Sequence, residues 1–128
     1  MIDPATLDDA ALRFLTEPHL ATLTTLRADG SPHVVAVGFT YSPEERLVRV
    51  ITFADSVKAR NAARGGRAAV SQVDGGRWLT LEGPVTLTDD PARVARAVEM
   101  YAARYRPPGE RSDRVAIEIT VDRILGRA

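Results

Sequence analysis

Four basic side chains with no acid among them lie between residues 56 and 67: Lys58, Arg60, Arg64 and Arg67. Lys58 is the only lysine in a chain whose other sixteen basic residues are arginine. A helix beginning after Ser56 would offer free N–H groups to an anion, and Asn61 would follow Lys58 about one turn later. The segment therefore predicts a phosphate site made by Ser56, Lys58 and Asn61, and the alternative is a solvated basic face with Ser56 as a plain helix cap.

Trp78 is the second candidate for ligand contact. It alternates with Leu79 and Leu81, so on a strand it points away from the side that those leucines bury. A large aromatic ring on a polar face predicts a partner, either a second subunit or a planar ligand. The alternative is that a helix of the same chain covers the ring.

Catalysis by a metal or a triad has little support in the sequence. The only histidines, His19 and His33, lie at predicted strand starts without a second ligand at a recognisable spacing, so we expect no metal site. His33 remains a candidate for lining a ligand. Gln72, beside the hairpin of Trp78, is a weaker candidate, with a solvated amide as the alternative. No residue stands out as catalytic, so the catalytic residues stay unassigned and water is the default proton donor.

The composition narrows the class of protein. A chain of 128 residues with 45% hydrophobic and 27% charged residues indicates one globular domain over residues 1–128. Seventeen basic and seventeen acidic residues cancel, which argues against binding to nucleic acid or to an anionic membrane surface. The absence of cysteine excludes thiolate and disulfide chemistry, and an acidic start without an apolar stretch predicts a cytoplasmic protein.

The elements that must position these residues are mostly strands. Alternation and turn residues predict six of them, at about 19–26, 32–41, 46–53, 67–73, 78–87 and 115–122. The first three should form an antiparallel meander, and Asp74-Gly75-Gly76 should join the fourth and fifth as a hairpin. The last strand alternates as if half buried, and Gly83-Pro84 suggests local curvature.

Three helices complete the prediction. Asp3-Pro4 should cap the first, Ser56 the second and Asp90-Pro91 the third. With no parallel strand–helix–strand rhythm, the pattern predicts a mainly β protein: a six-stranded antiparallel barrel with helices around it.

The order of these segments resembles the split-barrel flavin and deazaflavin family that includes pyridoxamine 5′-phosphate oxidase. The segments that carry the resemblance are LATLTTLRADGSPHVVAVGFTY, SVKARN, SQVDGGRWLTLEG and RVAIEITVDRILG. Within the family they look most like the small coenzyme F420-dependent reductases, among them those that reduce biliverdin. The resemblance implies an FMN-binding split barrel of Greek-key type, and a homodimer with two cofactor sites at the subunit interface.

The resemblance also implies the cofactor contacts. The cofactor phosphate would contact Lys58 and, in addition, Ser56 and Asn61. These are the same residues that the basic segment suggested. The deazaflavin ring would lie along the second and third strands, at His33, Val34, Val35, Ile51 and Thr52, mainly through backbone contacts. Gln72 and Trp78 complete the expected cofactor-binding set.

The implied reaction is hydride transfer from C5 of reduced F420 to an electrophilic carbon of a conjugated acceptor, such as the central methine bridge of a linear tetrapyrrole. The propionates of a tetrapyrrole would need cations, for which Arg77, Arg104, Arg106 and Arg111 are available. Two alternatives stay open. One is an FMN-dependent oxidase or reductase of the same family, and the other is an F420-binding module without turnover.

Overall fold

A computed structural model describes all 128 residues. It contains three α-helices and eight strands after a short 3-10 turn at Pro4–Thr6. The helices are α1 (Asp9–Thr16), α2 (Val57–Ala63) and α3 (Pro91–Arg104). The strands are β1 (Ala21–Leu26), β2 (Pro32–Val37), β3 (Thr40–Ser42), β4 (Leu47–Phe53), β5 (Arg67–Asp74), β6 (Arg77–Thr88), β7 (Arg114–Thr120) and β8 (Arg123–Arg127).

The strands form one antiparallel sheet in the order β2-β1-β5-β6-β7-β4-β3, with β8 paired to β6. The long strand β6 changes neighbours along its length, from β8 over residues 78–82 to β7 over residues 85–88. Gly83 lies at this change, and a Cβ there would be 1.8 Å from the carbonyl oxygen of Thr120. The predicted curvature therefore has a physical reason, since only glycine lets the two strands approach so closely.

The core contains large aliphatic and aromatic side chains from both halves of the sheet and from α1. Its fully buried members include Phe14, Leu23, Phe39, Leu79, Leu81, Ile117, Ile119 and Ile124. Phe14 and Leu15 pack the inner side of α1 onto this core. The mainly β class with three helices is confirmed.

The predicted count of six strands and the predicted meander are wrong. The second predicted strand is interrupted at Gly38 and Phe39, so that β2 pairs only with β1 while β3 pairs with β4. At the break, the Phe39 N–H donates to the Tyr105 hydroxyl (3.2 Å), and Arg104 donates to the Phe39 carbonyl (2.5 Å). Side chains of α3 and of the residue after it thus replace the ladder bonds that would have continued the strand.

The first predicted helix is two separate elements. Asp3 caps only the 3-10 turn, accepting from Ala5 N–H, and α1 has its own cap in Asp8, which accepts from Ala11 N–H at 2.8 Å. The caps predicted for α2 and α3 are confirmed, because Ser56 accepts from Ala59 N–H and Asp90 from Arg93 N–H.

The half-buried pattern predicted for the last strand is also wrong, since residues 115–119 are all buried. The charged residue Glu118 can be buried because its carboxylate accepts a bidentate interaction from Arg93 of α3, at 2.7 Å for the shortest contact. The sequence reading missed β8, a short strand that contains Gly126. None of the helices is both long and apolar enough to cross a membrane.

A candidate cofactor cleft

A cleft of about 290 Å³ lies where the free edges of β2 and β4 face each other. β2 has no strand neighbour except β1, and β4 loses its neighbour β3 after residue 49. Backbone groups along these edges are therefore available to a ligand. The lining residues are Ala36, Val37, Gly38, Ile51, Thr52, Phe53, Lys58, Tyr101, Pro108, Arg111 and Arg114. We call this the edge cleft.

The edge cleft is cationic. Lys58, Arg111 and Arg114 line it without an acid among the lining residues. The ion pairs of the molecule include neither Lys58 nor Arg114. Burial alone lowers the pKa of Lys58, which means that a charge is being held in a partly desolvated place without compensation. An anion bound here would supply that compensation.

Arg111 is held in a different way. Its guanidinium lies 4.0 Å from the ring centroid of Phe53 and donates to Asp113 at 2.6 Å. Asp113 lies outside the lining of the cleft, and this ion pair is nearly half exposed to solvent at both side chains. The stacking on Phe53 orients the guanidinium at the wall of the cleft, so Arg111 is the third cation that a ligand would meet.

Ser56 does not line the cleft and acts as a helix cap. Its hydroxyl oxygen accepts from Ala59 N–H (3.1 Å) and from the Thr52 hydroxyl (2.9 Å). These bonds tie the start of α2 to β4 and so place Lys58 beside Ile51 and Thr52. Because α2 has only seven residues and its cap is made, the case for an anion rests on side chains, not on the helix start.

Asn61 has a structural role. Its side chain is 5% exposed, donates to the Thr25 hydroxyl (3.0 Å) and accepts from Arg64 (2.5 Å). The amide fastens α2 to β1 and does not line the cleft, so the expectation that it shares a ligand-facing surface with Lys58 is corrected. We leave Asn61 out of the proposed site.

His33, Val34 and Val35 lie on β2, before the residues of that strand that line the cleft. Val34 points outward and is exposed, whereas His33 and Val35 are half buried opposite Thr25 and Leu23 of β1. The Nδ1 atom of His33 is buried without a hydrogen-bond partner. The end of this strand lines the edge cleft, but the side chains of His33, Val34 and Val35 do not.

Gln72 belongs to a second polar cluster, which we call the α1 junction: Glu17, His19, Gln72, Arg77 and Arg104. Gln72 is fully buried, donating to the Phe14 carbonyl (2.8 Å) and accepting from Arg104 (2.5 Å). Its amide is thus neither solvated nor available to a cofactor, and we remove it from the proposed site. Arg104 also donates to the Glu17 carbonyl (2.8 Å), so its guanidinium is satisfied by the protein.

The rest of the α1 junction is a matched ion cluster. Arg77 donates to Glu17 (3.0 Å) and Asp74 (2.6 Å), and His19 lies 3.0 Å from Glu17. The Arg77 guanidinium, with a smaller effect of His19, lowers the pKa of Glu17 to about 2. Ligand atoms of Glu17, His19 and Asp74 lie within 4.8 Å of one another, so His19 does have acidic neighbours. Glu17 is only two residues from His19, but sequence spacing could not show Asp74, which is far away along the chain.

Trp78 lies outside the edge cleft. It is 38% exposed on the outer face of β6, while Leu79 and Leu81 are completely buried, which confirms the predicted alternation. Val73 is its partner across the β5–β6 hairpin and is 64% exposed. With more than a third of its surface exposed, Trp78 is not covered in the way that the intrachain alternative requires.

A larger hollow of about 510 Å³ lies between the end of α2 and strands β6 and β7. Its lining is mostly small and aliphatic, and its single charged residue is Asp89. It has no cation, so it does not suit a phosphate. The edge cleft remains the place where charge and free backbone groups occur together.

Sequence reasoning missed three residues of the cleft: Tyr101, Arg114 and, as a member of the cationic cluster, Arg111. Arg114 faces Phe53 in the β4–β7 pairing, which brings the start of β7 beside the end of β4. A run of three arginines around the loop after α3, at positions 106, 111 and 114, was the signal that could have drawn attention to it.

These features define a class of protein: an antiparallel β protein whose cationic cleft, bordered by two free strand edges, suits a planar small molecule with an anionic tail. The chain belongs to the pyridoxamine 5′-phosphate oxidase family, which matches residues 7–128. The family predicted from the sequence motifs is thereby confirmed.

Within this family, the chain is similar to a relative of known activity. The F420H(2)-dependent biliverdin reductase of Mycobacterium tuberculosis (strain CDC 1551 / Oshkosh) is 56% identical over 122 residues, which cover 95% of this chain and 89% of the relative.

Solved structures agree on the fold. A conserved hypothetical protein from Mycobacterium tuberculosis superposes with a TM-score of 0.79 at 23% identity, covering 95% of this chain and 85% of that one. A protein described as an F420 reductase superposes with a TM-score of 0.72 at 25% identity, covering 93% and 98%.

Proposed function

We propose that this protein is an F420H2-dependent reductase that passes a hydride to a conjugated acceptor, with biliverdin, reduced to bilirubin, as the substrate. The observation that carries the proposal is the combination of 56% identity to the F420H(2)-dependent biliverdin reductase with a cleft lined by three cations and no acid. The structural similarity to an F420 reductase supports the same cofactor.

The residues present fit such a cofactor. Lys58 forms no ion pair, so a phosphate-bearing tail would remove the desolvation cost that Lys58 now carries. Arg114 lines the same cleft and could share that tail. The free edges of β2 and β4 offer N–H and C=O groups to the polar rim of a deazaflavin ring, near Ile51 and Thr52. We further infer that the sheet closes as a split barrel and that the edge cleft is the split.

The chemistry divides between the coenzyme and the chain. When bound, reduced F420 supplies the hydride. Lys58 and Arg114 hold the tail, the β4 edge orients the ring, and Arg111 is left for a carboxylate of the acceptor. Of the other arginines considered for that task, Arg77 and Arg104 are already bound within the α1 junction.

Titration of the purified protein with F420 and, separately, with FMN tests the cofactor. We expect F420 to bind more tightly and with a saturable fluorescence change. Tight FMN that survives purification, with no response to F420, would favour the FMN enzyme of the same family. F420 binding without oxidation by any acceptor would favour the module without turnover.

We also propose that the working unit is a homodimer. Exposed apolar side chains lie on the outer face of the sheet, on neighbouring strands: Val34, Leu26, Val73 and Trp78. A second copy covering this face would bury Trp78 and bring it near a cofactor of the other subunit.

The mass of the protein in solution tests the dimer, for example by light scattering after gel filtration. We expect about twice the chain mass, and a shift toward the chain mass in Trp78→Glu. A clean monomer at micromolar concentration that still binds F420 would contradict a shared site.

A further inference from the structure

Two tyrosines one helical turn apart near the end of α3 have different surroundings. The Tyr105 hydroxyl donates to the His19 carbonyl (2.6 Å) and accepts from the Phe39 N–H (3.2 Å), so it is part of the fold. The Tyr101 ring lies against it, with ring centroids 4.9 Å apart. Tyr101 lines the edge cleft, and its hydroxyl takes part in none of the side-chain hydrogen bonds of the chain, whereas the Tyr105 hydroxyl takes part in three.

Gly38 explains how Tyr101 reaches the cleft. A Cβ at this position would lie 3.0 Å from Cε2 of Tyr101 and 3.1 Å from Cε2 of Tyr105. The two rings therefore pack directly on the backbone at the end of β2, which is itself a wall of the cleft. Glycine at 38 is what allows an aromatic ring to lie beside this strand edge.

The polar side chains of the cleft differ in whether they can release a proton. A guanidinium does not, which removes Arg111 and Arg114. The Thr52 hydroxyl is donated to Ser56. Lys58 is assigned to the cofactor tail, and it must keep its proton because its positive charge holds the anionic tail. A phenol keeps its proton at neutral pH and can donate it, which leaves Tyr101.

We propose that Tyr101 contacts the acceptor and supplies the proton that completes its reduction; this rests on the function proposed above. The acceptor carbon gains a hydride from the reduced coenzyme, which is oxidised, and the displaced electron pair moves to a nitrogen of the acceptor. A new N–H bond forms there as the O–H bond of Tyr101 breaks. The phenolate then takes a proton from water.

Tyr101→Phe tests this step, with Tyr105→Phe as the matched control. We expect Tyr101→Phe to lower kcat for biliverdin about 10²-fold, at the low end of what a positioned general acid contributes, while KM and F420 affinity stay unchanged. A small buffer acid, such as imidazolium at fixed pH and ionic strength, should restore part of the rate in Tyr101→Phe and leave the native rate unchanged.

Acceptor contact has a readout that needs no turnover. The absorbance spectrum of biliverdin should change when it binds to the cofactor-free protein. Tyr101→Ala should weaken that binding several-fold, whereas Tyr101→Phe should not. Tyr105→Phe should lower the Tm without creating buffer dependence.

The outcomes separate this inference from the proposed function. If the native protein does not oxidise reduced F420 with biliverdin, the proposed function fails. If the native protein does so and Tyr101→Phe matches it in kcat, the function stands and the role of Tyr101 is overturned. A rate loss in Tyr101→Phe that follows a lower Tm and ignores added buffer would also overturn it, because the residue would then be structural.

Discussion

The edge cleft and the α1 junction both gather cations, and they differ in whether those cations have partners. At the α1 junction, Arg77 holds two carboxylates and Arg104 holds Gln72 and backbone carbonyls. In the edge cleft, Lys58 and Arg114 form no ion pair, and only Arg111 has a carboxylate partner, the half-exposed Asp113. A satisfied cation stabilises the fold, whereas an unsatisfied one in a partly buried cleft costs free energy until a ligand arrives. Partner status, not the number of arginines, distinguishes the two regions.

Arg104→Ala should give the largest effect, and it should be on stability. The variant leaves the buried Gln72 amide oxygen without its donor and takes one of the donors from each of the Glu17 and Phe39 carbonyls, which we expect to cost about 2–4 kcal/mol of unfolding free energy. Urea denaturation measures it. An unchanged denaturation midpoint would show that the cation of the α1 junction does not stabilise the fold.

Lys58→Ala should act on binding and leave stability nearly unchanged. Loss of a charge-assisted contact to the cofactor tail should weaken F420 binding by roughly 1.5–3 kcal/mol. Arg60→Ala is the control, because Arg60 is exposed on the same helix and does not line the cleft. Equal F420 affinity in both variants would return Lys58 to a solvated basic face, and a large drop in Tm would make it structural.

Arg114→Ala should weaken F420 binding less, by about 0.5–1.5 kcal/mol, since a second cation at the same tail adds a smaller increment. The comparison becomes sharper if the double variant with Lys58→Ala loses less than the sum of the two, which would indicate a shared anion. Strict additivity would place the two cations on separate groups of the ligand.

Glu17→Gln should give the smallest effect, visible in the pH dependence of Tm. Because Arg77 lowers the pKa of Glu17 from 4.5 to about 2, the carboxylate stabilises the fold above pH 4.5 and loses this contribution as the pH falls toward 2. The variant should have a lower Tm than the native protein near neutral pH, and the difference should shrink between pH 4.5 and 2. A constant difference across that range would contradict the ion cluster.

What could be predicted from the sequence is what neighbouring residues decide. The Ser56 and Asp90 caps and the hairpin at Asp74 depend on residues within four positions, and all three are confirmed. The exposure of Trp78 followed from strand alternation in the same way. Lys58 stands out in the sequence alone, as the single lysine among sixteen arginines.

What could not be predicted depends on contacts between distant residues. β2 ends because Arg104 and Tyr105 form hydrogen bonds with the backbone of Phe39, which lies some 65 positions earlier in the chain. Gln72 and Asn61 look like ordinary polar residues until the fold buries them. Tyr101, Arg111 and Arg114 join Lys58 only because β7 pairs with β4 and because α3 lies across β4 and β7.

One assay tests the central claim most directly: the native protein is mixed with biliverdin and with reduced F420, NADPH or reduced FMN in separate reactions. We predict that reduced F420 is consumed together with the bilin colour change, and that neither other reductant supports it. Turnover with NADPH alone, or with FMN and not F420, would contradict the account.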